Sequence, residues 1–163
     1  MIYFDNAATT RAADEVAEKV KHMLLENFGN PSSQSMMGVN AEKEMNEARK
    51  IMAQSINALP EEIYFTSGGT EDDNWAIFGT AEGYIRSGKH MITTSIEHPA
   101  VLMPMRHLEE KGWDITILDV DESGYIDIEK LKAAVREDTV LVSTILINNE
   151  TGTIQNAAEI SKA

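Results

Sequence analysis

The 163-residue chain carries a formal net charge of −13, is 42% hydrophobic and 25% charged, and contains no cysteine. That composition belongs to a folded globular domain; it excludes disulfides, cysteine-ligated metals and a cysteine nucleophile from these residues, and it argues against non-specific nucleic-acid binding, which needs a basic surface. No apolar run approaches the roughly 20 residues of a membrane-spanning helix, and residues 1–5 lack the basic and long apolar regions of a secretion signal, so a cytoplasmic location is expected.

In chain order, Tyr3-Phe4 reads as a short strand leading into the small polar run Asp5-Asn6-Ala7-Ala8-Thr9-Thr10. Residues 12–27 read as a helix, with Val16, Val20, Met23 and Leu24 at helical spacing. Residues 28–38 form a loop rich in turn residues, and a second helix covers 39–56. A strand is predicted over 62–66. A glycine turn at Ser67-Gly68-Gly69-Thr70 then opens a helix reaching Arg86. Strand-like Met91-Ile92-Thr93-Thr94 follows. A helix runs from Pro99, a favoured first-turn residue, to Lys111, and Gly112 ends it. Strand 114–119, helix 127–136 and strand 139–146 come next, and a last helix starts near Ala157.

Strands separated by single helices imply βαβ units with right-handed crossovers: an α/β fold with a mainly parallel sheet and flanking helices. Ligands of such sheets sit beyond the carboxyl ends of the strands. Three segments fall there. The first is the glycine turn, where close backbone approach and the free N–H groups of a helix start suit a phosphate. The same residues also suit a capped helix without a ligand, with Thr70 as the cap. The second is Ser95 to His98, where His98 either caps the next helix or stacks on a flat ligand, and Glu97 is open in the same way, either meeting a ligand or favouring the helix start electrostatically. The third is Asn148-Asn149-Glu150-Thr151-Gly152, suited to hydrogen bonding a polar ring substituent or to making a turn. His22, His90, His98 and His107 show no paired metal-ligand spacing, so no metal site is expected.

Taken together, Tyr-Phe-Asp-Asn-Ala-Ala-Thr-Thr (3–10), Phe-Gly-Asn-Pro-Ser-Ser (28–33), Phe-Thr-Ser-Gly-Gly-Thr-Glu (65–71), Gly-Lys-His (88–90), Glu-His-Pro-Ala-Val-Leu (97–102), Asp-Thr-Val-Leu-Val-Ser (138–143) and Asn-Asn-Glu-Thr-Gly-Thr-Ile-Gln (148–155) resemble the pyridoxal-phosphate-dependent cysteine desulfurases of the class V aminotransferase family. The resemblance covers essentially the whole chain. It implies the large fold type I domain of pyridoxal-phosphate transferases, with residues 1–163 its N-terminal portion and the small C-terminal domain absent. It implies that Gly69 and Thr70 hold the cofactor phosphate. His98 would stack on the pyridine ring and take part in proton transfer, and Asn149 would bond the ring hydroxyl. Asn6, Ala7, Thr9 and Asn30 would wall the site for L-cysteine, which the family converts to alanine and a protein persulfide for iron–sulfur cluster or thio-cofactor assembly.

The departures are equally informative. The family's Schiff-base lysine motif and its catalytic cysteine match nothing in these residues, so a fragment inactive alone is expected, completed by a homodimer partner or a complementing C-terminal half and delivering sulfur to an acceptor or scaffold protein. The alternative expectation is a non-catalytic homologue that binds in sulfur-transfer assembly. Ser35 stands where the family carries a histidine, Arg11 where it carries a proline, Asp72 where a small residue is common, and Thr151 where an aliphatic is usual.

Overall fold

The computed structural model describes residues 2–163. Its internal contacts divide the chain into one compact unit ending at Phe65 and another from Thr66 to Ala163.

The first unit is helical. Residues 2–13 form no strand, contrary to the expectation for Tyr3-Phe4; the segment turns instead, with the Ala8 and Thr9 N–H groups donating to the Asp5 carbonyl at 3.1 and 3.3 Å. Helix α1 (Asp14–Leu25) opens on Asp14 and Glu15, whose charge favours a helix N-terminus. Its apolar stripe is real but uncovered: Val16, Val20 and Leu24 are all exposed. Helix α2 (Met36–Ser55) starts before the predicted residue 39 because Ser35 caps it, its side chain accepting the Gly38 N–H at 3.2 Å. A short 3₁₀ turn follows at Pro60–Glu62. The predicted strand at 62–66 does not form. Residues 63–66 belong to none of the strand pairs. Arg49 of α2 instead donates to the Ile63 carbonyl and lays its guanidinium 4.8 Å from the Phe65 ring centroid. β-branched and aromatic residues fit a pleated surface, but a strand exists only where a ladder partner takes its backbone groups.

The second unit is α/β: helix α3 (Gly69–Tyr84), strand β1 (His90–Thr94), helix α4 (Pro99–Glu110), strand β2 (Asp114–Leu118), helix α5 (Ile128–Ala134), strand β3 (Thr139–Val142) and helix α6 (Ala157–Ile160). The sheet order is β2-β1-β3 and both pairings are parallel, as predicted. Central β1 is buried along its whole length, which is what a doubly covered parallel strand requires. Period-two alternation divides it. Met91 packs with Ile77, Ala81, Val101, Met105, Leu108 and Trp113 from α3, α4 and the start of β2's approach. Ile92 packs on the other side with Ile126 and Leu131, joined by Ile160 of α6. Helices therefore cover both faces of the sheet.

Local chemistry explains the boundaries. His98 caps α4, accepting the Ala100 N–H on Nδ1 at 3.1 Å, and Pro99 occupies the first turn. Pro104 inside α4 has no N–H for the Ala100 carbonyl, which Asn74 Nδ2 of α3 approaches at 3.5 Å instead. Strand β3 stops at Val142 rather than 146. Ser143 N–H still donates to Ile92 at 2.9 Å, but Ile145 N–H goes to a side chain, Glu97, at 2.6 Å. At the opposite end of the sheet His90 is fully buried between hydroxyls, Nδ1 2.7 Å from Thr139 Oγ1 and Nε2 2.8 Å from Thr116 Oγ1. Burial holds its pKa below the usual imidazole value.

Among the described residues one buried side-chain polar atom has no partner: Thr93 Oγ1, on the α3/α4 side of β1. Replacing it by the isosteric Thr93→Val removes a desolvated hydroxyl and keeps the shape. The variant is expected to match or exceed wild-type stability by up to about 1 kcal/mol, measured as the denaturant midpoint. A loss of that size would show that the hydroxyl is in use.

Candidate functional site

The start of α3 is built around Gly68. Its φ of +153° lies where side chains are disfavoured, and a Cβ added at Gly68 or Gly69 would meet nothing within 4 Å. Gly68, not Thr70, takes the capping position; its carbonyl accepts the Glu71 and Asp72 N–H groups at 3.0 and 3.2 Å. The Glu71 carboxylate folds back onto Ser67, accepting from its N–H and its Oγ, both at 2.7 Å, and these bonds hold its pKa below the ordinary carboxylate value. Thr66 Oγ1 donates to Asp72 at 2.7 Å. The turn is thus braced by its own side chains, while the N–H groups of Gly69 and Thr70 and the Thr70 hydroxyl make no hydrogen bond among the described residues. Free amides at a helix start, with backbone open on one side, suit a phosphate.

His98 stands between two hollows. One, of about 520 Å³, is lined by Thr70, Asn74, Phe78 and His98 with residues of α4. The other, of about 310 Å³, is lined by Ser95 to Pro99 and by Asn148 to Thr151. The second unit therefore brings Thr70, His98 and Asn149 to one end of the sheet, the carboxyl end of β1 and β3. With Nδ1 accepting from Ala100, the neutral His98 ring carries its proton on Nε2. Its side chain is otherwise exposed.

The paired asparagines divide their work. Asn148 is buried: its Nδ2 donates to the Ile96 carbonyl at 3.1 Å, and its Oδ1 accepts the N–H groups of Glu150 and Thr151, each at 2.9 Å. Asn149 is exposed, and its amide makes no hydrogen bond among the described residues. The residue predicted to bond a ring is thus the free one, and its neighbour makes the turn.

Sequence reasoning named Glu97 but missed its tie between two loops. It is only 8% exposed and accepts from Thr94 Oγ1 at 2.8 Å and from Ile145 N–H at 2.6 Å. No spacing in the sequence announces this, because the donors lie 3 and 48 residues away. Burial outweighs those bonds and raises its pKa. The folded chain therefore holds the Glu97 proton more tightly than the unfolded chain. Stability from this group is greatest below the ordinary carboxylate value, falls as pH rises through the raised one, and is constant above it. Glu97→Gln keeps an oxygen acceptor and removes the charge. Its stability relative to wild type is expected to rise between pH 4 and pH 7, read from urea midpoints at each pH. A difference that stays flat or falls would contradict the burial argument.

The four residues predicted to wall a substrate site lie in the first unit. Asn6, Ala7 and Thr9 occupy the exposed turn at 5–10, where the Asn6 carbonyl accepts Thr10 Oγ1 at 3.1 Å. Asn30 makes a turn ahead of α2, its Oδ1 accepting the Ser32 N–H at 2.9 Å. Among the described residues no cluster of histidine, aspartate or glutamate is arranged to hold a metal ion, and no helix is long and apolar enough to cross a membrane.

Comparison with known proteins gives this geometry its context. The sequence model of the aminotransferase class-V family matches residues 2–163. Cysteine desulfurase IscS of Neisseria gonorrhoeae is 51% identical over 162 residues, 99% of this chain and 40% of that protein. Cysteine desulfurase IscS of Methanosarcina thermophila is 48% identical over 161 residues, again 99% of this chain and 40% of the relative. Among solved structures, a NifS-like protein superposes with a TM-score of 0.96 at 42% identity, covering 99% of this chain and 44% of its own. SspA in complex with cysteine superposes with a TM-score of 0.93 at 38% identity, covering 98% of this chain and 46% of its own. The chain spans about 40% of the length of the curated relatives it matches.

Proposed function

Since the chain belongs to the aminotransferase class-V family, we propose that it forms the pyridoxal-phosphate-gripping portion of a cysteine desulfurase, the N-terminal part of its large domain, with the lysine and the cysteine supplied by other residues. The observation that carries this is the convergence of unspent groups at one end of the sheet: the Gly69 and Thr70 amides, the Thr70 hydroxyl, the exposed His98 ring with its Nε2, and the Asn149 amide. Gly68 and Asn148 do the structural work beside Gly69 and Asn149, His98 caps α4 through Nδ1 alone, and the donor set matches a phosphorylated pyridine. Pyridoxal phosphate supplies the electron sink; the protein supplies binding, orientation and electrostatics.

On this reading Gly69 N–H, Thr70 N–H and Thr70 Oγ1 hold the phosphate, with the α3 dipole adding to the attraction. His98 offers its face to the ring and holds a proton at Nε2. The Asn149 amide bonds the ring hydroxyl. Asn6, Ala7, Thr9 and Asn30 contact L-cysteine. The solved complex of SspA with cysteine supports that substrate class. The sulfur leaves as a persulfide on a cysteine outside these residues and passes to an acceptor or scaffold protein for cluster or thio-cofactor assembly, in a homodimeric, cytoplasmic enzyme.

The test is a chimera joining residues 1–163 to the remainder of the Neisseria gonorrhoeae cysteine desulfurase. It is expected to bind pyridoxal phosphate and to form alanine from cysteine. His98→Ala in the chimera is expected to lower kcat by about 100-fold or more, the usual scale for a positioned proton-transfer group. A folded, cofactor-loaded chimera indifferent to His98→Ala would sink the assignment.

A further inference from the structure

The loop between β1 and α4 and the loop after β3 are tied to each other twice, once by a side chain from each loop. From the first loop, Glu97 Oε1 accepts the Ile145 N–H at 2.6 Å and is itself braced by Thr94 Oγ1 at 2.8 Å. From the second, Asn148 Nδ2 donates to the Ile96 carbonyl at 3.1 Å, while its Oδ1 anchors its own turn. Each tie is made by the residue just before a candidate ring contact: Glu97 precedes His98, and Asn148 precedes Asn149. Glu97 and Asn148 are 8% and 7% exposed, whereas His98 and Asn149 are open to solvent.

We infer that Glu97 and Asn148 are positioning residues that lock the two loops into one frame, fixing the separation of the His98 imidazole and the Asn149 amide across the hollow they share. The physical reason is geometric. A single hydrogen bond between two loops leaves a hinge about that bond. A second, one residue away on the first loop and three on the second, with its side chain supplied by the other loop, removes the hinge. The Glu97 end is anchored to a rigid base, since Thr94 is the fully buried last residue of β1. A carboxylate and an amide enclosed in this way are held by their partners, because a buried polar group without its bonds is costly.

This inference rests on the cofactor reading above only for what the frame presents; the frame itself is testable without cofactor. The histidine ring signals of the chain are followed by NMR in wild type, Glu97→Ala, Glu97→Gln, Asn148→Ala and Thr94→Val, with His22 as the reference. Asn148→Ala and Glu97→Ala are expected to shift and broaden the His98 signals and leave His22 unmoved. Glu97→Gln, which keeps an oxygen acceptor, restores the wild-type position. Exchange of the Ile145 amide is expected to rise about tenfold in Glu97→Ala, the scale for losing a hydrogen bond to a charged group, and by less in Thr94→Val. Where Glu97→Ala fails to fold, Thr94→Val decides. His98 signals unmoved in a folded Asn148→Ala, or Ile145 exchange unchanged in a folded Glu97→Ala or Thr94→Val, overturn the frame. Pyridoxal phosphate titration of the same samples separates the two ideas. Responsive His98 signals without saturable binding leave the frame standing and remove the cofactor reading. Saturable binding with unresponsive signals does the reverse.

Discussion

Purified chain of these 163 residues, given cysteine, pyridoxal phosphate and a reductant, is expected to form no alanine beyond the rate of the cofactor in free solution. The chain contains no cysteine, so no thiolate of its own receives the sulfur. On the proposed reading the lysine that anchors the cofactor lies outside these residues, and Lys89, Lys111, Lys130 and Lys132 do not replace it. What remains is phosphate and ring recognition, which holds a cofactor without completing its chemistry. The contrast with the chimera is the informative part: the same residues, joined to a lysine and a cysteine, are expected to be active. Alanine formed by the chain alone, dependent on cofactor and abolished by His98→Ala, would show that the catalytic groups lie within these residues.

Gly88→Ala is expected to be the most damaging single methyl addition. Its Cβ would fall 2.0 Å from the Asp138 carbonyl oxygen and 2.6 Å from the carbonyl carbon, with only backbone to yield. That carbonyl accepts the His90 N–H at 3.2 Å, and the neighbouring side chains form the Arg136 bridge to Asp138 at 2.8 Å and to Asp114 at 2.5 Å. Moving it disturbs the entry to both β1 and β3. Overpacking of this kind costs about 3 kcal/mol, a fall in Tm on the order of 6–12 °C for a chain of this size. Gly79→Ala on α3 is the matched control. Its Cβ meets nothing within 4 Å, so the same substitution is expected to stabilise by about 0.5–1 kcal/mol. Opposite signs at Gly88 and Gly79 support the close approach; equal effects would refute it.

The second unit was the more legible part of the sequence. Its strands are short runs paired in a parallel sheet, with central β1 buried, and its helices carry their own punctuation: Pro99 after a capping His98, Gly112 with φ of +87°, and Asp127 capping α5. These signals are local, so they survive without knowledge of the fold. What was illegible depends on distant partners. Residues 62–66 have strand chemistry but no ladder, and Arg49 takes their carbonyl instead. Strand β3 ends early because a carboxylate from another loop claims Ile145. At the site, the residue types and their placement at strand ends were readable. The division of labour was not: Gly68 rather than Thr70 caps α3, Asn148 is spent on the turn while Asn149 is free, and Glu97 is structural glue rather than a charge beside a helix. Adjacent residues of the same type were separated only by burial, which the sequence does not encode locally.

The most direct test of the central claim is a titration of the chain with pyridoxal phosphate and, in parallel, with pyridoxal, followed by borohydride reduction and mass spectrometry. Weak, saturable binding that needs the phosphate, falls in Thr70→Ala and leaves no specific lysine adduct is the predicted result. A stoichiometric adduct on one lysine of this chain, or equal binding of pyridoxal with and without its phosphate, would contradict the account.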